Sequence, residues 1–205
     1  MTALWRGASP LVLASKSLAR QRLLAAACIP FESQSASIDE RAIEAGLLAE
    51  GADARRIALE LARAKALEVS GLKPGRLIVG ADQTLSLDGR ILGKPADRAA
   101  AMKQLAALSG RTHWLYSACC VARDGLILSA NVDQAELICR QMSPAFMAMF
   151  LSQSDEALLS SAGGYQLENL GIHLFDRITG DHATILGLPL LPLLKFLREE
   201  GSLLA

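Results

Sequence analysis

The sequence predicts an α/β protein in which helices pack on a mixed sheet. Three observations carry that expectation. Apolar residues make up 51% and charged residues 20% of the 205 positions, enough for a sizeable core and far from the disordered regime. Aromatics are only 4%, and Leu and Ala dominate, so that core is aliphatic. Strand-like and helix-like stretches alternate along the whole chain, and the pairs Asp88-Gly89 and Asp124-Gly125 read as two-residue hairpins, which puts antiparallel pairs into the sheet.

The elements follow in order. Residues 11–14 read as a short buried strand, and 18–27 as a helix with Ser17 as its N-cap. Residues 31–35 form a second strand, followed by a polar stretch over 37–41. Asp53 caps a long helix to about Ser70, with Ile57, Leu61 and Ala64 on one face. After the turn Lys73-Pro74-Gly75, residues 77–81 form a buried strand ending at Asp82. Residues 84–87 and 90–92 flank the first hairpin turn. Asp97 caps a helix ending near Gly110, and 112–122 with 126–139 flank the second hairpin. Ser143-Pro144 opens a helix through Phe150, with Pro at its first position. A loop rich in Ser and Gly leads to 165–171, a strand over 172–178 and a final helix over 189–200. Met142, Phe146, Met147, Met149 and Phe150 read as a core face in preference to a dimer patch. Internal repeats and charge blocks are absent.

Lys+Arg and Asp+Glu balance at 21 each, which argues against a nucleic-acid binder but leaves room for a small anionic ligand. Cys28, Cys119, Cys120 and Cys139 contain no C-x-x-C pair and read as thiols of a reducing compartment. The N-terminus lacks the apolar core of a signal peptide. The most apolar run, 185–197, is broken by Gly187, Pro189 and Pro192, so no membrane span is expected. A cytoplasmic protein is the expectation.

Three places combine a strand end with ionisable groups. Ser15-Lys16-Ser17 with Arg20 lies between strand and helix, where backbone N–H groups and the helix dipole favour an anion, and Arg20 could bind phosphate bidentately; a plain capped surface helix has the same pattern. Asp82, directly after a buried strand, could bind Mg²⁺ or take a proton from water, or could form a turn. Lys94 in Gly93-Lys94-Pro95 could neutralise a phosphate or stand solvated. No P-loop pattern occurs. Lys65 and the pair Asp39-Glu40 are ambiguous by themselves. His113, His173 and His182 have no ligand spacing and read as structural or surface residues.

Seven motifs occur in sequence: Leu13-Ala14-Ser15-Lys16-Ser17-x-x-Arg20, Ile38-Asp39-Glu40, Ala64-Lys65-Ala66, Gly80-Ala81-Asp82, Leu92-Gly93-Lys94-Pro95, Leu108-Ser109-Gly110-Arg111-Thr112-His113 and Gly187-Leu188-Pro189. This ordered set resembles the Maf family of nucleotide pyrophosphatases, once described as septum-formation inhibitors, from Leu11 to about Leu197. The resemblance implies one domain over 1–205 with a two-lobed α/β fold around a long bent mixed sheet, similar in architecture to the inosine triphosphatase-like enzymes. It implies hydrolysis of nucleoside triphosphates between the α and β phosphates, with Mg²⁺, Mn²⁺ or Co²⁺, in house-cleaning of non-standard nucleotides, by a homodimer. Carried over to this chain, Asp82 resembles the general base and a metal ligand, and Glu40 the second acidic metal ligand. Ser15, Ser17, Arg20, Lys65 and Lys94 resemble the phosphate-binding set. The division suits phosphoryl transfer, which needs positioning and charge neutralisation more than covalent help. The alternative is a nucleotide-binding regulator of septation with little turnover.

Three positions bear on the base. The thymidine and uridine triphosphate branch has Arg, Thr and Gln where this chain has Ala19, Gln83 and Glu168. Gln83 and Glu168 instead resemble the branch acting on 7-methylguanosine triphosphate, and Glu168 could accept from the guanine N1–H and amine. Ala19 departs from that branch, which places a Trp there to stack on the base. Leu18 and Asn169 depart from the usual Pro and Gly.

Overall fold

The computed structural model describes residues 4–154 and 161–205, without the Asn169 side chain. Seven strands form one sheet: β1 (Leu11–Leu13), β2 (Phe31–Ser33), β3 (Ile78–Leu87), β4 (Arg90–Leu92), β5 (Thr112–Arg123), β6 (Leu126–Cys139) and β7 (Phe175–Thr179). Their order is β2-β1-β3-β5-β6-β7, with β4 beside the far half of β3. The two β1 pairings are parallel and the rest antiparallel, so the sheet is mixed. Both Asp-Gly turns form with positive φ at both residues, the type I′ geometry that suits strand twist.

The helices are α1 (Leu18–Ala26), α2 (Glu40–Ala49), α3 (Ala54–Leu72), α4 (Arg98–Leu108), α5 (Pro144–Gln153), α6 (His182–Ile185) and α7 (Leu190–Glu199). Ser17, Asp39, Asp53, Asp97, Ser143 and Asp181 each accept the backbone N–H three residues on, so the first six helices share one capping device.

The structure corrects several expectations. The strand expected to stop at Asp82 continues to Leu87, because β5 pairs with every residue from Ile78 to Ser86. Its polar residues mark two different faces, not an end. Helix α2 appears where only a polar stretch was expected; none of its residues is buried, although Ile43 and Leu47, one turn apart, are half-buried. Ala64 is half-buried, and the inward face of α3 is carried by Ile57, Ala58, Leu61, Ala62 and Lys65. Helix α5 runs three residues past Phe150. The strand expected over 172–178 starts only at Phe175, after a 3-10 turn over Asn169–Leu174. The expected Ser- and Gly-rich loop lies partly outside the described residues. In the Met and Phe group, Met142, Met147 and Phe150 are buried and Met149 is exposed.

Side chains alternate across the sheet. On one face α3 packs alanine against alanine, with Ala58, Ala62 and Ala66 on Ala118, Cys120 and Ala122. The other face carries two apolar clusters. Leu13, Leu24, Val79, Leu188 and Leu197 join α1 and α7 to the sheet; Leu85, Leu105, Leu115, Leu137 and Phe150 join α4 and α5. Between them runs a polar row of register partners, Gln83, Ser117 and Asp133. Helix α6 sits on this row: Ser117 Oγ donates to the Thr184 carbonyl at 2.6 Å and Thr184 Oγ1 donates to Asp133 Oδ2 at 3.1 Å.

Candidate active site

The site begins where β1 stops. The last parallel pair with β3 is Leu13 with Val79, and the chain then turns through Ser15-Lys16-Ser17 into α1. Ser15 Oγ accepts from the Ser17 N–H at 3.2 Å, and Ser17 Oγ accepts from the Arg20 N–H at 3.4 Å. The N–H groups of Leu18 and Ala19, in the first turn of α1, have no partner among the described residues, as a helix start leaves them.

Arg20 lies one turn into α1 and its guanidinium is already engaged. Nε donates to the Gly187 carbonyl at 2.7 Å, and Nη1 donates to the Ala81 carbonyl at 2.8 Å and to Ser15 Oγ at 3.2 Å. Gly187 has φ of +91°, a conformation other residues rarely adopt, and a Cβ there would stand 3.2 Å from Arg20 Nε. Burial pushes the Arg20 pKa below its ordinary value, opposed by the charges of Asp82, Glu40 and Cys119. Among the described residues only Nη2 of this guanidinium has no partner, and it is left for a ligand.

Asp82 is the fifth residue of β3, not the residue after a strand. It nevertheless lies beyond the carboxyl end of the neighbouring β1, so the rule that places ligands outside strand ends applies through β1. Its side chain points to the α3 face. There Lys65 Nζ stands 2.6 Å from Asp82 Oδ1 and 3.0 Å from Glu40 Oε2, and Lys65 and Asp82 are both buried. Gly80 makes this approach possible. A Cβ at Gly80 would strike the Ala62 carbonyl oxygen and lie 2.7 Å from the Ala66 amide nitrogen, so only glycine lets α3 sit this close. Glu40 arrives as the first residue of α2, capped by Asp39.

Lys65 takes one oxygen from each carboxylate. Asp82 Oδ2 and Glu40 Oε1 have no partner among the described residues. Two carboxylates suit Mg²⁺, which usually keeps waters and takes its other ligands from substrate phosphates. Among the described residues no group of three or more His, Cys, Asp or Glu could hold a metal. Asp82 Oδ2 and Glu40 Oε1 are the two oxygens that could face such an ion.

The structure thus brings Ser15, Ser17, Arg20, Glu40, Lys65 and Asp82 together at the end of β1. Of the remaining expected residues, Ala19 adjoins this group in α1, whereas Lys94, Glu168 and the Gln83 side chain make no hydrogen bond to it among the described residues. Lys94 is exposed, two residues past the end of β4, and makes no ion pair among the described residues. Ala19 is half-buried in the first turn of α1. Glu168 is half-buried at the start of the 3-10 turn and contacts neither Gln83 nor Asp82 through a hydrogen bond. Gln83 points to the opposite face from Asp82, where Nε2 donates to Ser117 Oγ at 2.8 Å, the Ile185 carbonyl at 2.9 Å and the Thr184 carbonyl at 3.1 Å. Sequence reasoning did not reach Ser117 or Thr184, which show no motif, or the carbonyl role of Gly187.

Other reactive groups are structural. Cys119, Cys120 and Cys139 are buried thiols, and burial pushes Cys119 up to about 12 and Cys120 to about 11. His113 is buried with Nε2 2.7 Å from the Tyr165 hydroxyl, and burial pushes it down to about 4. Among the described residues no helix is long and apolar enough to cross a membrane.

Comparison with known proteins points the same way. The family model described as "Maf-like protein" matches residues 10–200. A nucleoside triphosphate pyrophosphatase from Nitrobacter winogradskyi is 53% identical over 203 residues, covering 98% of each chain. One from Bradyrhizobium diazoefficiens is 54% identical over 197 residues, covering 96% of each. A 7-methyl-GTP pyrophosphatase from Rhizobium johnstonii is 49% identical over 193 residues, covering 94% of this chain and 97% of its own.

Proposed function

The chain belongs to the Maf-like protein family, and from that premise we propose that it hydrolyses nucleoside triphosphates to a monophosphate and pyrophosphate with Asp82 as the base. The observation that carries the assignment of roles is the Lys65 ammonium between Asp82 and Glu40, next to the open first turn of α1. Cations and N–H donors gathered around a buried carboxylate suit a phosphate ester under attack by water.

The phosphates meet the Leu18 and Ala19 N–H groups, Ser15 and Ser17, and Arg20 through Nη2. Lys65 neutralises charge that develops on the phosphoryl oxygens. Asp82 Oδ2, the oxygen that Lys65 leaves free, takes the proton of the attacking water as the α–β anhydride bond breaks and pyrophosphate leaves. Glu40 and Asp82 would hold a divalent ion, which when bound supplies charge neutralisation and a more acidic water. Gln83, Glu168 and the 49% identical 7-methyl-GTP pyrophosphatase support a modified purine nucleotide as substrate, with Ala19 leaving the base unstacked on that side.

A pyrophosphate-release screen tests this. Wild-type protein with Mg²⁺, Mn²⁺ or Co²⁺ is given standard, deaminated and 7-methylated triphosphates. Release from at least one, with the matching monophosphate, is expected. Tight binding of nucleotides without product would instead favour a nucleotide-binding regulator.

A further inference from the structure

Asp82 and Gln83 are neighbours in one strand, so their side chains leave on opposite faces of the sheet, Asp82 to α3 and Gln83 to α6. A ligand that reaches both sides must therefore pass an edge of β3. The backbone shows where. Val12 and Ala14 donate to the Leu77 and Val79 carbonyls, so odd-numbered residues of β3 turn their backbone toward β1. Leu85 and Leu87 turn theirs to β4, opposite Leu92 and Arg90. By the same two-residue period, Ala81 and Gln83 face that edge too, but β1 has already ended and β4 has not begun. Arg20 fills half of the gap by donating to the Ala81 carbonyl. The Gln83 N–H and C=O have no partner among the described residues. Continuing the β4 register would set Lys94 opposite Gln83, yet no bond forms there and Pro95 follows.

A half-buried strand edge with one donor and one acceptor side by side, bordered by the Arg20 guanidinium on Ala81, is a place for a polar ligand. A C=O repels phosphate, whereas a nucleobase offers a donor and an acceptor on one edge. We propose that the nucleoside of the substrate crosses the sheet at this gap and that its base pairs with the backbone N–H and C=O of Gln83, leaving the phosphates on the α3 side. This rests on the pyrophosphatase reading given above. Such a backbone pair reads a donor–acceptor pattern and tolerates more than one base. Selectivity then comes from what surrounds the gap.

The test is residue-resolved amide exchange by NMR on the wild-type protein, free, with the α,β-methylene analogue of guanosine triphosphate, and with inorganic triphosphate. In the free protein the Gln83 amide should exchange at least 100-fold faster than those of Asp82 and Thr84, which face β5. The methylene analogue should slow Gln83 by more than tenfold, and inorganic triphosphate should leave it unchanged. Protection already present in the free protein, no slowing under saturating analogue, or equal slowing by inorganic triphosphate each overturn the proposal while pyrophosphate release can still stand. Absence of pyrophosphate release from every nucleotide overturns the pyrophosphatase reading itself, and this proposal with it.

Discussion

Lys65 Nζ lies 2.6 Å from Asp82 Oδ1, and the same ammonium reaches Glu40 Oε2 at 3.0 Å. One cation thus separates two carboxylates that would otherwise repel. Asp82→Asn keeps the shape and a hydrogen-bond acceptor, so the protein should fold while pyrophosphate release falls at least 1,000-fold. Lys65→Met leaves Asp82 buried beside Glu40 with no counter-charge and should cost about 3 kcal/mol of stability. Urea denaturation of both variants, alongside the release assay, separates base from counter-charge.

Gly80→Ala tests the approach of α3. The added methyl would meet the Ala62 carbonyl and the Ala66 amide, both backbone groups that cannot swing away. Overpacking of this kind costs about 2 kcal/mol. Activity should fall more than stability alone explains, because α3 carries Lys65. A variant with wild-type stability and rate would show that the helix can shift without loss.

Arg20→Lys keeps the charge but loses the fork that spans Gly187, Ala81 and Ser15. The expected result is a loss of about 2 kcal/mol from the charged hydrogen bonds and a marked fall in kcat. A change confined to KM would place Arg20 on the phosphates alone. Added guanidinium should partly restore the rate of Arg20→Ala but not of Arg20→Lys.

His113 predicts a pH dependence of stability. Folded, it stays neutral down to about 4, whereas an exposed histidine titrates near 6.5. Between those values the unfolded chain binds the extra proton, so this group lowers stability as pH falls through the window and has no such effect above it. At pH 5 the loss relative to pH 8 should be about 2 kcal/mol. In His113→Gln that slope should vanish from denaturation curves taken across the range; an unchanged slope would assign it to other groups.

The helix starts at Ser17, Asp53, Asp97 and Ser143 and the two Asp-Gly hairpins are legible because capping and type I′ turns are set by residues next to each other. Asp82 in mid-strand is not, because its β5 partner Ala118 lies 36 residues further along the chain and that pairing overrides the local polar break. Helix α2 offers only a short, half-buried apolar face, Ile43 and Leu47, too little to set a long period. In the site, Ser15, Ser17, Arg20, Lys65 and Glu40 stand out through the ordered motifs. The same pattern hides that Arg20 donates to the Gly187 and Ala81 carbonyls, since every residue type offers a carbonyl acceptor.

The bond from Arg20 to Gly187 joins positions 167 residues apart. On a ribosome, α1 emerges well before the carbonyl that seats its arginine. Until then the edge of β3 lacks its strut, and a nascent chain can hold most of its sheet without a finished site. Contacts of such long range also slow folding, because the chain must close a large loop before they form. A protein stopped short of α6 lacks the Gly187 carbonyl and the Leu188, Leu193 and Leu197 side chains that pack on Leu13 and Val79, and it should show no turnover.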